Sequence, residues 1–267
     1  MNFYHTAMSY YNPDTTAGRR GLIIKMLDEQ GQINVKELSL HFHVSEVTIR
    51  NDLAHLEQKN LLIRARGGAI KTDKASLDLR FLEKKSKNVR EKEAIGRKAA
   101  RFISDGDTIV VDSGTTTREI VNHLARFGRL TVITNALNIA STLADMDNIT
   151  VIMPGGIMRH NILSLVGAIA IDNFKKFFGD KLFLAADGID VNLGLSSPDL
   201  EEAALKRTMI KMARKVIVVA DSSKFGRRNL AVICSVSQID VLITDKGISA
   251  TDKEALEKMG VEVVIVD

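Results

Sequence analysis

The chain has 267 residues, 45% of them apolar, with 37 Lys plus Arg against 33 Asp plus Glu. That is enough for one large domain or two smaller ones with a real core. No apolar run approaches the roughly 18 residues of a membrane span, so no membrane partner is expected. The lone cysteine, Cys234, excludes an intrachain disulfide and fits a reducing cytoplasm. Charge is unevenly placed: residues 1–90 carry 15 basic and 10 acidic side chains, and residues 91–267 carry 22 and 23. The basic excess belongs to the N-terminal part, as expected of a segment that meets a polyanion.

Residues 1–18 lack the basic start and apolar run of a signal peptide and are expected to form a flexible leader. From 19 to 60 the apolar positions follow helical spacing in three short groups: Leu22, Ile23, Met26 and Leu27; Val35, Leu38 and Phe42; Ile49, Leu53 and Leu56. Residues 33–58 therefore read as helix, tight turn, helix, with Ser45 capping the second helix. With the apolar side turned inward, the first turns of that helix present Ser45, Glu46, Thr48, Arg50 and Asn51, groups suited to base edges and phosphates in a major groove. Asp52 would repel phosphates there and is expected to pair with an arginine of its own domain. LLIRARGGAIKT (61–72) reads as a two-stranded turn around Gly67 and Gly68, a basic wing carrying Arg64 and Arg66 to the DNA backbone. His41 and His43 have no further ligand at metal spacing, so no metal is expected. The charged, aperiodic stretch 73–93 reads as a linker.

Beyond it, β-branched runs alternate with helix-length segments: TIVVD (108–112), TVIT (131–134), TVIMP (150–154), KLFLAAD (181–187), KVIVVAD (215–221), VLITD (241–245) and VEVVIVD (261–267). Runs apolar on both faces predict a mostly parallel α/β sheet over 94–267, behind a small helical domain at 19–72. Ligands in such sheets bind at the carboxyl ends of strands, which is where DSGTTT stands. Asp112, Ser113, Thr115, Thr116 and Thr117 offer polar groups at a strand-to-helix turn, and Gly114 allows close backbone approach, a plausible phosphate cradle. Self-capping of the helix is the simpler alternative for these six residues alone. Asn135, Gly155, Gly156, Asp187, Gly188, Asp190 and Lys224 lie at other strand ends, where carboxylates accept from sugar hydroxyls and a lysine meets a phosphate.

VSEVTIRNDLAHLE, the RARGGA wing, VDSGTTT, the PGG at 154–156, ADGID and ADSSKFGR together resemble the DeoR family of bacterial sugar-operon regulators over residues 19–267. The resemblance implies a winged helix-turn-helix joined to a sensor domain similar to ribose-phosphate isomerase. It further implies a repressor that leaves double-stranded operator DNA when a phosphorylated sugar or sugar alcohol binds, acting as a homo-oligomer, dimer or tetramer. An isomerase with an appended DNA-binding domain is the alternative, and activation is another. The isomerase pattern has a lysine after its DGxD motif, which VNLGLSS (191–197) lacks; Glu202 remains as a carboxylate. Without that lysine no catalytic residue and no cofactor are expected.

Overall fold

The computed structural model describes residues 15–58, 61–70, 84, 86–160 and 162–267, and the chain divides between Lys87 and Asn88 into two units. Most of the expected leader (1–14) and much of the expected linker (73–83 and 85) lie outside the described residues.

In the first unit α1 (Thr16–Gln30) begins inside the stretch expected as leader, because Thr15 caps it, its hydroxyl accepting from the Gly18 amide at 3.0 Å. The strand β1 (Gln32–Asn34) leads into α2 (Val35–Phe42) and α3 (Glu46–Gln58). Ile23 and Leu27 of α1 bury with Leu38, Ile49, Leu53 and Leu56 in one core, each such side chain contributing roughly 1.5–3 kcal/mol. The expected two-stranded turn is a three-stranded antiparallel sheet, because β1 pairs with β3 (Gly68–Ile70), which pairs with β2 (Ile63–Ala65). Three residues, QIN, carry too little alternation to announce β1. Gly68 lies in β3 and not in the turn: a Cβ there would stand 2.0 Å from the Ile33 carbonyl oxygen, so only glycine lets the two strands close.

The second unit is built on seven parallel strands: β4 (Thr108–Val111), β5 (Leu130–Thr134), β6 (Ile149–Ile152), β9 (Gly179–Ala185), β12 (Ala213–Val219), β14 (Val241–Asp245) and β15 (Glu262–Val266). They are the seven apolar runs of the sequence. Between them lie the hairpin β7 (Ile157–Arg159) and β8 (Ser164–Val166), and a small sheet of β10 (Gly188–Asp190), β11 (Gly194–Ser197) and β13 (Ala231–Cys234). The helices are α4 (Val89–Ala99), α5 (Thr115–Val121), α6 (Leu137–Leu143), α7 (Ala168–Phe174), α8 (Leu200–Lys211) and α9 (Ala250–Lys258). Helix α4 starts inside the expected linker; its charges hid a buried stripe of Ala94, Ile95 and Ala99.

Side chains alternate across the sheet. Val110, Ile133, Leu182, Leu184 and Val218 pack with Phe174 of α7 and Met209 of α8, whereas Ile109, Val111, Val132, Phe183 and Ile217 pack with Ile95 of α4 and Ile120 of α5. Covering both faces is what makes the strands read as unbroken apolar runs. The strand order is β15-β14-β12-β9-β4-β5-β6. The chain thus steps outward from β4 through β5 to β6, returns to place β9 on the other side of β4, and continues away from it. Connections leave β4 and β9 in opposite directions, so a crevice opens at their carboxyl ends.

Candidate functional site

The first unit presents the polar surface that its sequence predicts. The Ser45 hydroxyl accepts from the Thr48 amide at 3.1 Å and lies 2.9 Å from the Thr48 hydroxyl, so it starts α3 as well as facing solvent. Arg50 is exposed and donates to Glu46 at 2.5 Å one turn back, so the carboxylate on this face holds the arginine. Asn51 is exposed beside it. Asp52 turns the other way. Its two oxygens accept from Arg19 and Arg20 Nε, each at 2.7 Å, and it is 1% exposed, so this carboxylate clamps α3 to α1. Arg64 and Arg66 are exposed at the wing, and the Arg64 backbone amide donates to Glu57 at 3.0 Å. Sequence reasoning passed over Val47, 61% exposed on the first turn of α3, an apolar group of the kind that meets thymine methyls.

In the second unit Asp112 ends β4 at the crevice. It is fully buried; its Oδ2 accepts from the Ala185 amide of β9 at 3.1 Å and lies 3.1 Å from Lys206 Nζ. Lys206, on α8, is buried too, donates to the Ala185 carbonyl at 2.9 Å and sits 3.6 Å from Glu202 one turn back. Burial pushes the Asp112 carboxyl up to about 6 against the pull of Lys206, and the nearby Glu202 adds to the rise. Burial opposes charge on Lys206 as well, but attraction by Asp112, Glu202 and Asp187 outweighs it and raises its pKa. With three carboxylates the lysine keeps its charge; the aspartate, with one cation, holds its own less firmly.

Besides the Lys224 expected from the sequence, the crevice has a lysine that sequence reasoning missed. None stands in 191–197, but α8 supplies one from further along the chain. Its ammonium is held by a carbonyl and two carboxylates, whose attraction keeps it charged and fixes its place in the crevice. Glu202 accepts from the Ser197 hydroxyl at 3.0 Å and lies 3.6 Å from Arg159 of β7, which also pairs with Asp199 at 3.2 Å.

The remaining sequence-selected residues divide. The Ser113 amide donates to Asn135 Oδ1 at 3.2 Å, joining the ends of β4 and β5. Thr116 is buried, Thr115 half-buried, and Thr117 donates to the Gly114 carbonyl at 3.1 Å, an intrahelical bond that takes it out of any cradle. Gly114 answers packing: a Cβ there would lie 2.8 Å from Ala185 Cβ. Gly155 and Gly156 have φ of 80° and 128°, and a Cβ on Gly156 would meet the Val166 carbonyl at 2.7 Å. Gly188 is likewise pressed against the Arg227 carbonyl, 2.5 Å from where its Cβ would be. Asp190, expected to receive sugar hydroxyls, instead accepts from the Asn192 and Leu193 amides at 3.0 Å and from Arg228 at 2.6 Å; the Arg228 bond first, then the turn amides, hold its carboxyl below the usual range. Asp187 is half-buried near Lys206, and Lys224 is half-buried beside Asp221 after β12. Among the described residues no cluster of His, Cys, Asp and Glu could hold a metal ion. Burial pushes the Cys234 thiol up to about 11, leaving an inert core residue.

A helical reading head on one unit and a switch-point crevice on the other define a two-module DNA-binding regulator. The DeoR-like helix-turn-helix domain matches residues 19–75 and the DeoR C terminal sensor domain residues 87–246; the chain belongs to the DeoR family of transcription regulators. A protein of Escherichia coli O157:H7 whose name assigns it repression of the aga operon is 38% identical over 94% of each chain. The glycerol-3-phosphate regulon repressor of Escherichia coli K12 is 35% identical, covering 85% of this chain and 90% of its own. Among solved structures, ribose 5-phosphate isomerase A of Methanocaldococcus jannaschii matches with a TM-score of 0.39 and 14% identity, spanning 52% of this chain and 55% of that one. At that level the likeness bears on neither activity nor mechanism. No described helix is long and apolar enough to cross a membrane.

Proposed function

We propose that this protein represses an operon for carbohydrate uptake or catabolism and is released from its operator by a phosphorylated sugar or sugar alcohol. The observation that carries this reading is the polar convergence at the switch point. Asp112 and Ser113 after β4, Asn135 after β5 and Glu202 on α8 come from three parts of the fold and meet at the carboxyl edge of the sheet, where open α/β sheets take ligands. Names of relatives that share both modules, repressors of the aga operon and of a glycerol-3-phosphate regulon, support the carbohydrate assignment. In this reading Ser113, Thr115 and Thr116 face the phosphate, with Lys224 as a further cation, and Asp187 and Glu202 take hydroxyls. The protein works in the cytoplasm as a dimer or tetramer, so that paired reading heads engage repeated or inverted half-sites.

Release requires that the effector bind the DNA-free arrangement more tightly than the DNA-bound one. Coupling of about 1–3 kcal/mol weakens operator binding some 5- to 150-fold. The test is a titration of phosphorylated and unphosphorylated sugars into protein bound to an operator fragment, read by fluorescence anisotropy. Release by a phosphate ester and not by its parent sugar is expected. Asp187→Ala or Lys224→Ala should give a protein that stays on DNA. Normal release from both variants would remove the proposed pocket, and interconversion of aldose and ketose phosphates by the purified protein would favour the enzyme reading.

A further inference from the structure

Buried polar atoms in folded proteins nearly always have hydrogen-bond partners, because an unmet one is destabilising. Among the described residues five buried side-chain atoms have none: Asp112 Oδ1, Ser113 Oγ, Arg159 Nη1, Ser164 Oγ and Thr244 Oγ1. The first four are linked by a closed circuit of contacts. Asp112 meets Lys206 at 3.1 Å, Lys206 meets Glu202 at 3.6 Å, and Glu202 meets Arg159 at 3.6 Å. Arg159 stands directly opposite Ser164 in the β7–β8 register, and residues so paired in an antiparallel ladder project from the same face. Next to Ser164, the Leu165 amide donates to the Asn135 backbone carbonyl at 2.8 Å, while the Asn135 side-chain amide donates back to the Leu165 carbonyl at 3.2 Å. Asn135 then accepts from Ser113, the neighbour of Asp112. Unmet groups distributed around such a ring describe a ligand's hydrogen-bonding pattern better than four separate defects do.

The chemistry of the set is specific. Ser113, Ser164 and Arg159 are three donors, and Asp112 Oδ1 is an acceptor. Arg159 uses Nη2 on Asp199 at 3.2 Å, while its Nη1 is 3.6 Å from Glu202, beyond hydrogen-bonding reach. A guanidinium has five N–H groups, so holding Asp199 leaves donors for a second anion.

We propose that Arg159 and Ser164, carried by the β7–β8 hairpin, are effector-binding residues: with Ser113 they donate to the anionic group of the effector, while Asp112, positioned by Lys206, accepts from one of its hydroxyls. This rests on the effector reading above and extends it to a segment that the strand-end loops do not include.

The test uses the full chain and isothermal calorimetry with glycerol 3-phosphate, glucose 6-phosphate, inorganic phosphate and glucose as probes. The wild-type protein should bind at least one of the two phosphate esters more tightly than glucose. Arg159→Gln should lose affinity for that ester by about 10-fold or more, and Ser164→Ala by about 3-fold. Ser164→Ala should also melt no lower than wild type without ligand, since it deletes an unpartnered buried hydroxyl. A merely structural serine would show the reverse, a lower melting temperature with unchanged affinity, and that overturns the proposal. Wild-type affinity in either variant overturns it while leaving the effector reading standing; should Arg159→Gln fail to fold, Ser164→Ala decides alone. Failure of the wild-type chain to bind either ester or inorganic phosphate overturns this proposal, whereas the effector reading is judged by the operator-release titration above.

Discussion

Each unit of the molecule buries an aspartate, and the two are treated differently. Asp52 in the reading head has one arginine on each oxygen at 2.7 Å. Asp112 in the sensor shares one oxygen between an amide and a lysine and leaves the other unmet. A buried carboxylate whose two oxygens are both engaged is a fastening; one left with an unmet oxygen at a strand end is, in the reading proposed above, a receptor. The distinction is chemical and does not depend on how deeply either is buried, since both are about equally hidden.

The comparison is broken most severely by removing the fastening. Asp52→Ala strands two arginines, one of them nearly fully buried, and should destabilise the first unit by about 3–5 kcal/mol, measured by chemical denaturation followed by circular dichroism. Asp112→Asn should behave differently, with an effect that depends on pH. Because the folded pKa is raised to about 6 from 3.8, the folded state holds this proton more tightly than the unfolded one. Its contribution is thus greatest at low pH and declines as pH rises from about 4 to about 6. The stability of Asp112→Asn relative to wild type should climb across that window, by at most about 3 kcal/mol, and stay level above it; a flat difference from pH 4 to 7 would show that Asp112 is not strained. Arg50→Ala should weaken operator binding by about 1–3 kcal/mol at fixed salt and leave calorimetric effector affinity within about twofold. Ser45→Ala, which removes a cap more than a contact, should cost about 1 kcal/mol of stability.

Where the sequence was informative, one segment held its own evidence. The seven strands are each a run apolar on both faces, and α3 combines a cap, a stripe and an exposed polar turn within 13 residues. The sensor site was half legible for the opposite reason. Asp112, Ser113 and Asn135 stand at strand ends and were found there, but Arg159 and Lys206 enter from a hairpin and a helix whose proximity only the folded chain creates. One local signal was present. Glu202, Lys206 and Met209 share a face of α8, so a lysine lies in line with buried Ala203 and Met209, and a cation on an apolar stripe asks for a partner. Asp190 shows what a motif leaves out, since its neighbours Asn192 and Leu193 use its carboxylate for their own turn.

The Gly68 contact beneath Ile33 has a counterpart one residue away, where Val35 donates to the Gly67 carbonyl at 2.9 Å. The tip of the wing is thereby stitched to the first turn of α2, and α2 is packed on α3. Span between the arginines of the tip and the side chains of the third helix is therefore a fixed length. In the reading proposed above, a duplex that meets both ends meets them at that spacing, and any mismatch is taken up by the DNA and not by the head. Where such a mismatch exists, operators should be enriched in pliant pyrimidine–purine steps between the two points of contact, at base pairs that no side chain reaches.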